Sequence, residues 1–172
     1  METETVIILM GVSGSGKSTL GTTIAAEWIM PFFDGDKFQP PGNIQKMAAG
    51  IALQDDDRWP WLNALGTAVS ARESGNGAIV ACSALKRSYR DRLRTLIGEP
   101  LLFVWLHVTP DILAERLRHR QGHYMPPTLL ESQFEAFEPP DPDERAIVLT
   151  AEESITAKVA CTIISAAIRQ QR

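Results

Sequence analysis

The residues best placed to do chemistry in this chain form one short run, Gly11-Val12-Ser13-Gly14-Ser15-Gly16-Lys17-Ser18, which fits G-x-x-x-x-G-K-[ST] at every fixed position. An apolar run from Val6 to Met10 precedes it and an amphipathic stretch opens at Thr19, so the loop has the strand before it and the helix after it that the motif requires. Glycines lack a Cβ, so the backbone can curl until successive N–H groups converge on phosphate oxygens. Lys17 then offers a mobile charge to the β and γ phosphates of ATP, and Ser18 offers a hydroxyl to Mg²⁺. The helix beginning at Ser18 and Thr19 turns its positive end toward the same phosphates. Gly11 through Thr19 are therefore the expected nucleotide contacts. The loop alone does not say what becomes of the phosphate.

A second group of residues supplies that chemistry. Asp34-Gly35-Asp36 follows a short apolar run and would set two carboxylates at the edge of the phosphate cleft. Phosphoryl transfer needs one carboxylate to orient or deprotonate the attacking hydroxyl and often another to hold the water shell of Mg²⁺. Asp36 is assigned the first role and Asp34 the second, although the two could be exchanged and a plain turn would use the same residues. Downstream, Arg58 offers the planar donor fork that a small carboxylate substrate needs. Lys86, Arg87 and Arg90 open a helix, where cations work against the dipole and are better explained by a bound anion. Asp55, Asp56 and Asp57 read equally well as the acidic first turn of a helix.

Positioning these groups takes an α/β frame. Five apolar runs, Val6 to Met10, Pro31 to Phe33, Ala78 to Cys82, Leu101 to Val108 and Ala146 to Leu149, alternate with helix-period segments. This pattern predicts a three-layer sandwich around a five-stranded parallel sheet, with ligands gathered beyond the carboxyl ends of the strands. Core stripes are expected at Leu20, Ile24 and Trp28, at Leu62, Leu65 and Val69, and at Ile155, Val159 and Ile163. Thr128 with Glu131, and Thr150 with Glu153, read as capping boxes that start the last two helices. Thr109-Pro110-Asp111 reads as another helix start, leading into Arg116, Arg118 and Arg120.

The 172 residues fit one domain, 1–172. A net charge of −4 argues against a nucleic-acid partner, because binders of the phosphate backbone usually carry a basic excess. Cys82 and Cys161, far apart and each in an apolar run, read as reduced thiols of a cytoplasmic protein. No apolar run reaches the roughly 18 residues of a membrane span.

The full set of motifs is more specific than any one of them. It comprises the phosphate loop with Met10 before it, Asp34-Gly35-Asp36, Asn43 with Lys46-Met47, Gly50 with Leu53, Asp55, Asp57-Arg58 and Trp61-Leu62. It continues through Cys82 to Lys86, Tyr89-Arg90-Asp91, Gly122-His123 and Ser132-Gln133-Phe134. In this combination the chain resembles the gluconokinases, small P-loop kinases of D-gluconate. The resemblance implies a P-loop kinase fold with a helical lid over residues 116–137, ATP and Mg²⁺ as cofactors, transfer to the 6-hydroxyl of D-gluconate, and a homodimer. It implies that Arg120 stabilises the transferring charge and that Arg116 helps hold the nucleotide. Arg58, Lys86, Arg90 and Lys46 would grip the substrate together with Asp36 and His123. Two departures stand out: Gln39 where the family has a histidine before proline, and Ala52 where a proline precedes the leucine. A shikimate-type or nucleoside monophosphate kinase, or a non-catalytic nucleotide-binding module, are the alternatives.

Overall fold

The computed structural model describes residues 4–73, 75–98, 100–119, 126–151 and 155–170, with the side chains at 117–119, 127 and 151 outside that description. Five strands, β1 (Val6–Met10), β2 (Phe32–Asp34), β3 (Ala78–Ala81), β4 (Leu101–Val108) and β5 (Ala146–Ala151), form one parallel sheet in the order β2-β3-β1-β4-β5. The helices are α1 (Lys17–Trp28), α2 (Pro41–Ala48), α3 (Asp55–Ser70), α4 (Arg87–Ile97), α5 (Pro110–His119), α6 (Pro127–Ala136) and α7 (Ala157–Gln170). A 3₁₀ turn, Gly35–Phe38, follows β2. This is the expected α/β sandwich.

β1 lies between β3 and β4, with Ile8 opposite both Val80 and Phe103. Its side chains alternate strictly between the two faces, as the period of two requires. Val6, Ile8 and Met10 pack with Trp61, Leu62, Leu65 and Val69 of α3 and Tyr89 and Leu93 of α4. Ile7 and Leu9 pack with Ile24 and Trp28 of α1 and Ile164 and Ile168 of α7. A strand buried on both faces needs helices on both, and chain order supplies them through the crossovers. A third, smaller cluster, Val12, Leu85, Val108 and Leu113, lies beyond the strand ends, with Leu130 and Phe137 against it. It seats α5 and α6 over the cleft.

The stripes expected on α1 and α3 are in place, whereas the one on the last helix is not. Val159 and Ile163 are half exposed, and Ala160, Cys161, Ile164 and Ile168 face the core instead. The chain stays extended through Thr150 and Ala151 in β5, and the helix begins only at Ala157, with the Val159 N–H directed at the Thr156 hydroxyl at 3.4 Å. Thr150 therefore cannot cap it. Thr128 likewise lies inside α6, whose N-cap is Pro126 with no side-chain cap. In both places, strand pairing or a proline sets the boundary in preference to the local capping signal. β2 begins one residue later than expected and includes Asp34, which pairs with Ala81.

α1 approaches the sheet closely at Gly21, where a Cβ would stand 2.6 Å from Cε2 of Phe32 and 3.2 Å from Cδ1 of Leu9. Gly21→Ala should therefore destabilise the protein in urea unfolding. Overpacking of about 1–3 kcal/mol would exceed the gain of about 1 kcal/mol in helix propensity.

Candidate active site

Three glycines give the phosphate loop its curl. Gly11, Gly14 and Gly16 have φ of 136°, 81° and 95°, values that side-chain-bearing residues rarely adopt. At Gly11 the space is closed as well, because a Cβ would sit 3.0 Å from the carbonyl oxygen of Leu106. Gly16 is the N-cap of α1, where no side chain caps the free N–H groups and no acidic residue stands in the first turn. The positive end of α1 is thus left open to an anion. The Lys17 ammonium folds back on the loop, donating to the carbonyl oxygens of Gly11 at 2.9 Å and Val12 at 2.8 Å. These observations fit a nucleotide triphosphate. Among the described residues no three carboxylate, imidazole or thiol groups cluster to hold a metal.

The Asp34-Gly35-Asp36 turn is fixed from two sides. Asp34 accepts the Asp36 N–H at 3.1 Å, capping the 3₁₀ turn, and the buried Trp61 indole of α3 donates to the Gly35 carbonyl at 2.7 Å. Gly35 presses on β3 so closely that a Cβ would meet the Ala81 carbonyl oxygen at 2.6 Å. Asp34 thus has one oxygen committed to the turn, and Asp36 is exposed. The Cys82 thiol, at the end of β3, is pushed up to about 12 by burial, and the charges of Lys17, Asp36 and Arg58 act on it more weakly. Lys17 of the loop, Asp36 of the turn and Arg58 of α3 thus all act on the end of β3.

Around Tyr89 stands a second group. The Arg58 guanidinium lies 5.5 Å above its ring and the Lys86 ammonium 5.7 Å, with Trp59 packed edge-on. The Tyr89 hydroxyl donates to Asp55, which also accepts Lys86 at 2.7 Å. These hydrogen bonds, that of Lys86 foremost, hold Asp55 below the usual carboxylate range, while burial and the Asp55 bond push the Tyr89 phenol up. Lys46 pairs with Asp57 at 2.6 Å, and Asp57 also accepts the Gln54 N–H at the start of α3. Gln39, the departure from the family pattern, accepts Asn43 at 2.9 Å.

Arg90 does not belong to this group. Expected to hold a substrate carboxylate, it is wholly buried and locked to Glu144 through two bonds of 2.6 and 2.8 Å. Its remaining amino group donates to the carbonyl oxygens of Ala84, Leu85 and Glu138. Arg87 likewise binds Asp141 and Asp143, and its N–H donates to Glu138. The anion inferred from the basic start of α4 is, for these two arginines, the protein's own acidic segment 138–144. Nothing local in the sequence marks that pairing, which spans 54 residues between Arg90 and Glu144.

From α5, Arg116 donates to the Ser15 carbonyl at 3.2 Å. Gln133 of α6 accepts the Ser13 N–H at 2.7 Å and donates to the Ser13 hydroxyl at 3.2 Å. Arg120 and His123 lie outside the described residues. Tyr89, Trp61 and Gln133 had no role assigned from sequence; the α-helical spacing of Lys86 and Tyr89, three apart, was the available signal for the first.

Burial raises the pKa of Glu144, but the Arg90 hydrogen bonds, the Asp141 N–H and the charges of Arg90 and Arg87 together outweigh it and hold the carboxylate below its ordinary value. Its contribution to stability is thus present at neutral pH and lost as pH falls through the lowered folded value. Glu144→Gln, which leaves a buried guanidinium without its counter-charge, should cost about 3–5 kcal/mol in urea unfolding at pH 7. The loss should be smaller at pH 3, giving the variant a flatter acid limb than the parent.

Comparisons with known proteins agree with this geometry. A family model described as an AAA domain matches residues 6–140. The thermosensitive gluconokinase of Escherichia coli (strain K12) is 44% identical over 169 residues, covering 96% of this chain and 89% of that protein. The thermoresistant gluconokinase of the same organism is 42% identical, covering 92% and 91%. The crystal structure of a gluconokinase from Sinorhizobium meliloti 1021 superposes with a TM-score of 0.86 at 44% identity, covering 99% of this chain and 95% of that one. With its phosphate loop, its carboxylate turn and these relatives over nearly its whole length, the chain belongs to the gluconokinase family of P-loop kinases.

Proposed function

We propose that this enzyme transfers the γ-phosphoryl group of ATP to the 6-hydroxyl of D-gluconate, giving 6-phospho-D-gluconate and ADP. The observation that carries the substrate reading is Arg58. It is only 8% exposed, stands with its guanidinium 5.5 Å from the Tyr89 ring centroid, and makes no side-chain hydrogen bond to a described residue. A guanidinium largely withdrawn from water, with its donor fork still available, is built for a planar anion such as a carboxylate. Lys86 and Lys46 add positive charge nearby, each already balanced by one aspartate. Arg90 has no part in the grip.

At the other end of the substrate, Asp36 is the group to orient the 6-hydroxyl and take its proton as the oxygen attacks phosphorus and the bond to ADP breaks. Asp34, already bonded to the turn, would hold water of the Mg²⁺ shell, and Ser18 would ligate the ion. When bound, Mg²⁺ neutralises charge on the β and γ oxygens. Lys17 would exchange its two carbonyl partners for phosphate oxygens, and Arg116 and Arg120 would cover the transferring group. The working enzyme is read as a single-domain cytoplasmic homodimer.

The decisive assay is ADP release from MgATP with D-gluconate against shikimate, other sugar acids, neutral sugars and nucleoside monophosphates. Turnover should require gluconate. Turnover with another acceptor alone would overturn the substrate but keep the kinase, and ADP release indifferent to every acceptor would overturn both. Arg58→Ala should raise KM for gluconate by about a hundredfold, the loss of a charge-assisted fork, and leave KM for ATP within about twofold. A rise in the ATP value alone would remove Arg58 from the substrate site.

A further inference from the structure

We propose that Gln133 is the residue through which α6 recognises the terminal phosphate of the nucleotide, its carboxamide donating to a γ-phosphate oxygen beside Ser13. The inference rests on ATP being the phosphoryl donor. Ser13 lies on the limb of the loop along which the Lys17 ammonium runs, against the Gly11 and Val12 carbonyls. In this motif the lysine is the group that reaches the β and γ phosphates, so that limb is the one beside the terminal phosphate. Gln133 holds both polar groups of Ser13 there, its N–H at 2.7 Å and its hydroxyl at 3.2 Å.

The chemistry of that contact distinguishes an amide from an acid. If the only task were to tie α6 to Ser13, a glutamate would serve at least as well, because both the N–H and the hydroxyl of Ser13 can donate and a carboxylate accepts charge-assisted bonds. A carboxylate has no donor, however, and would repel a triphosphate. α6 carries carboxylates two residues away on either side, at Glu131 and Glu135, and both are exposed. Residues two apart on a helix do not share a face, so the side directed at the loop is the neutral one. The carboxamide is the group that can accept from Ser13 and still donate to an anion. It also makes the seating of α6 depend on whether the γ-phosphate is present, across 120 residues of sequence.

The test compares the parent with Gln133→Glu and Gln133→Ala, measuring Kd for MgATP and MgADP by titration calorimetry and the thermal midpoint of the nucleotide-free proteins. Gln133→Glu should keep the parent's midpoint yet bind MgATP about tenfold or more weakly, a loss of about 1.4 kcal/mol or more, with MgADP changed by less than about threefold. Gln133→Ala should also narrow the ratio of ATP to ADP affinity, by a smaller factor. Equal weakening of both nucleotides, or ATP affinity of the glutamate variant matching the parent, would overturn the inference and leave Gln133 a structural tie. A parent protein that binds neither nucleotide would instead overturn the kinase reading on which the inference rests.

Discussion

A guanidinium removed from water must have its charge and all its donors answered, and at Arg90 that requirement shapes the mouth of the active site. Its Nε and Nη2 donate to one carboxylate and its Nη1 to three carbonyl oxygens, drawn from two segments far apart in the chain. On one side it holds the loop after β3, where Ala84 sits at φ 43°, a backbone state a residue with a side chain rarely takes unless neighbours impose it. On the other it holds segment 138–144, which leaves α6. Arg94 adds a bond to the Glu144 carbonyl at 2.7 Å, and Arg87 binds Asp141 and Asp143. The arginines at 87, 90 and 94 follow helix spacing, so one face of α4 clasps the whole segment. Lys86, immediately before that helix, is thereby delivered to Tyr89 and Asp55.

The same organisation explains what the amino-acid sequence made legible. The sheet, the phosphate loop and the turn at 34–36 depend on local signals: apolar runs, glycines at fixed spacing, carboxylates just after a strand. The two faces of β1 follow from alternation alone. Arg58 was singled out for its chemistry, and the structure leaves its guanidinium without a side-chain hydrogen bond to a described residue. Arg90 was not, since a basic residue at a helix start looks the same whether its anion is a substrate or a glutamate 54 residues away. The capping boxes failed for a related reason. Thr150 has the right neighbours for a cap, but its backbone is already paired to His107 across the sheet.

Viewed from the cleft outward, the site is assembled from parts that are each held by something other than the substrate. Trp61 holds the carboxylate turn, Tyr89 holds the cations, and Gln133 holds the loop. Such groups lose little freedom on binding, which is the condition for interaction energy to appear as affinity and rate rather than as ordering. α5 and α6 rest on a small apolar cluster that is joined to the two cores of the sheet through Phe137 and Ile155.

Lys17 has a consequence for which anions the loop admits. Its ammonium is bound to two carbonyl oxygens of the loop, so it is not a bare cation. A ligand must displace both bonds and replace them with stronger ones. A nucleotide triphosphate can do so because it fills the loop's N–H cradle and the helix end at the same time. Free phosphate or sulfate can occupy the same helix end but meets fewer of those groups. The bonds of Lys17 to the loop thus set the same cost against every anion, offset in proportion to how much of the cradle that anion fills.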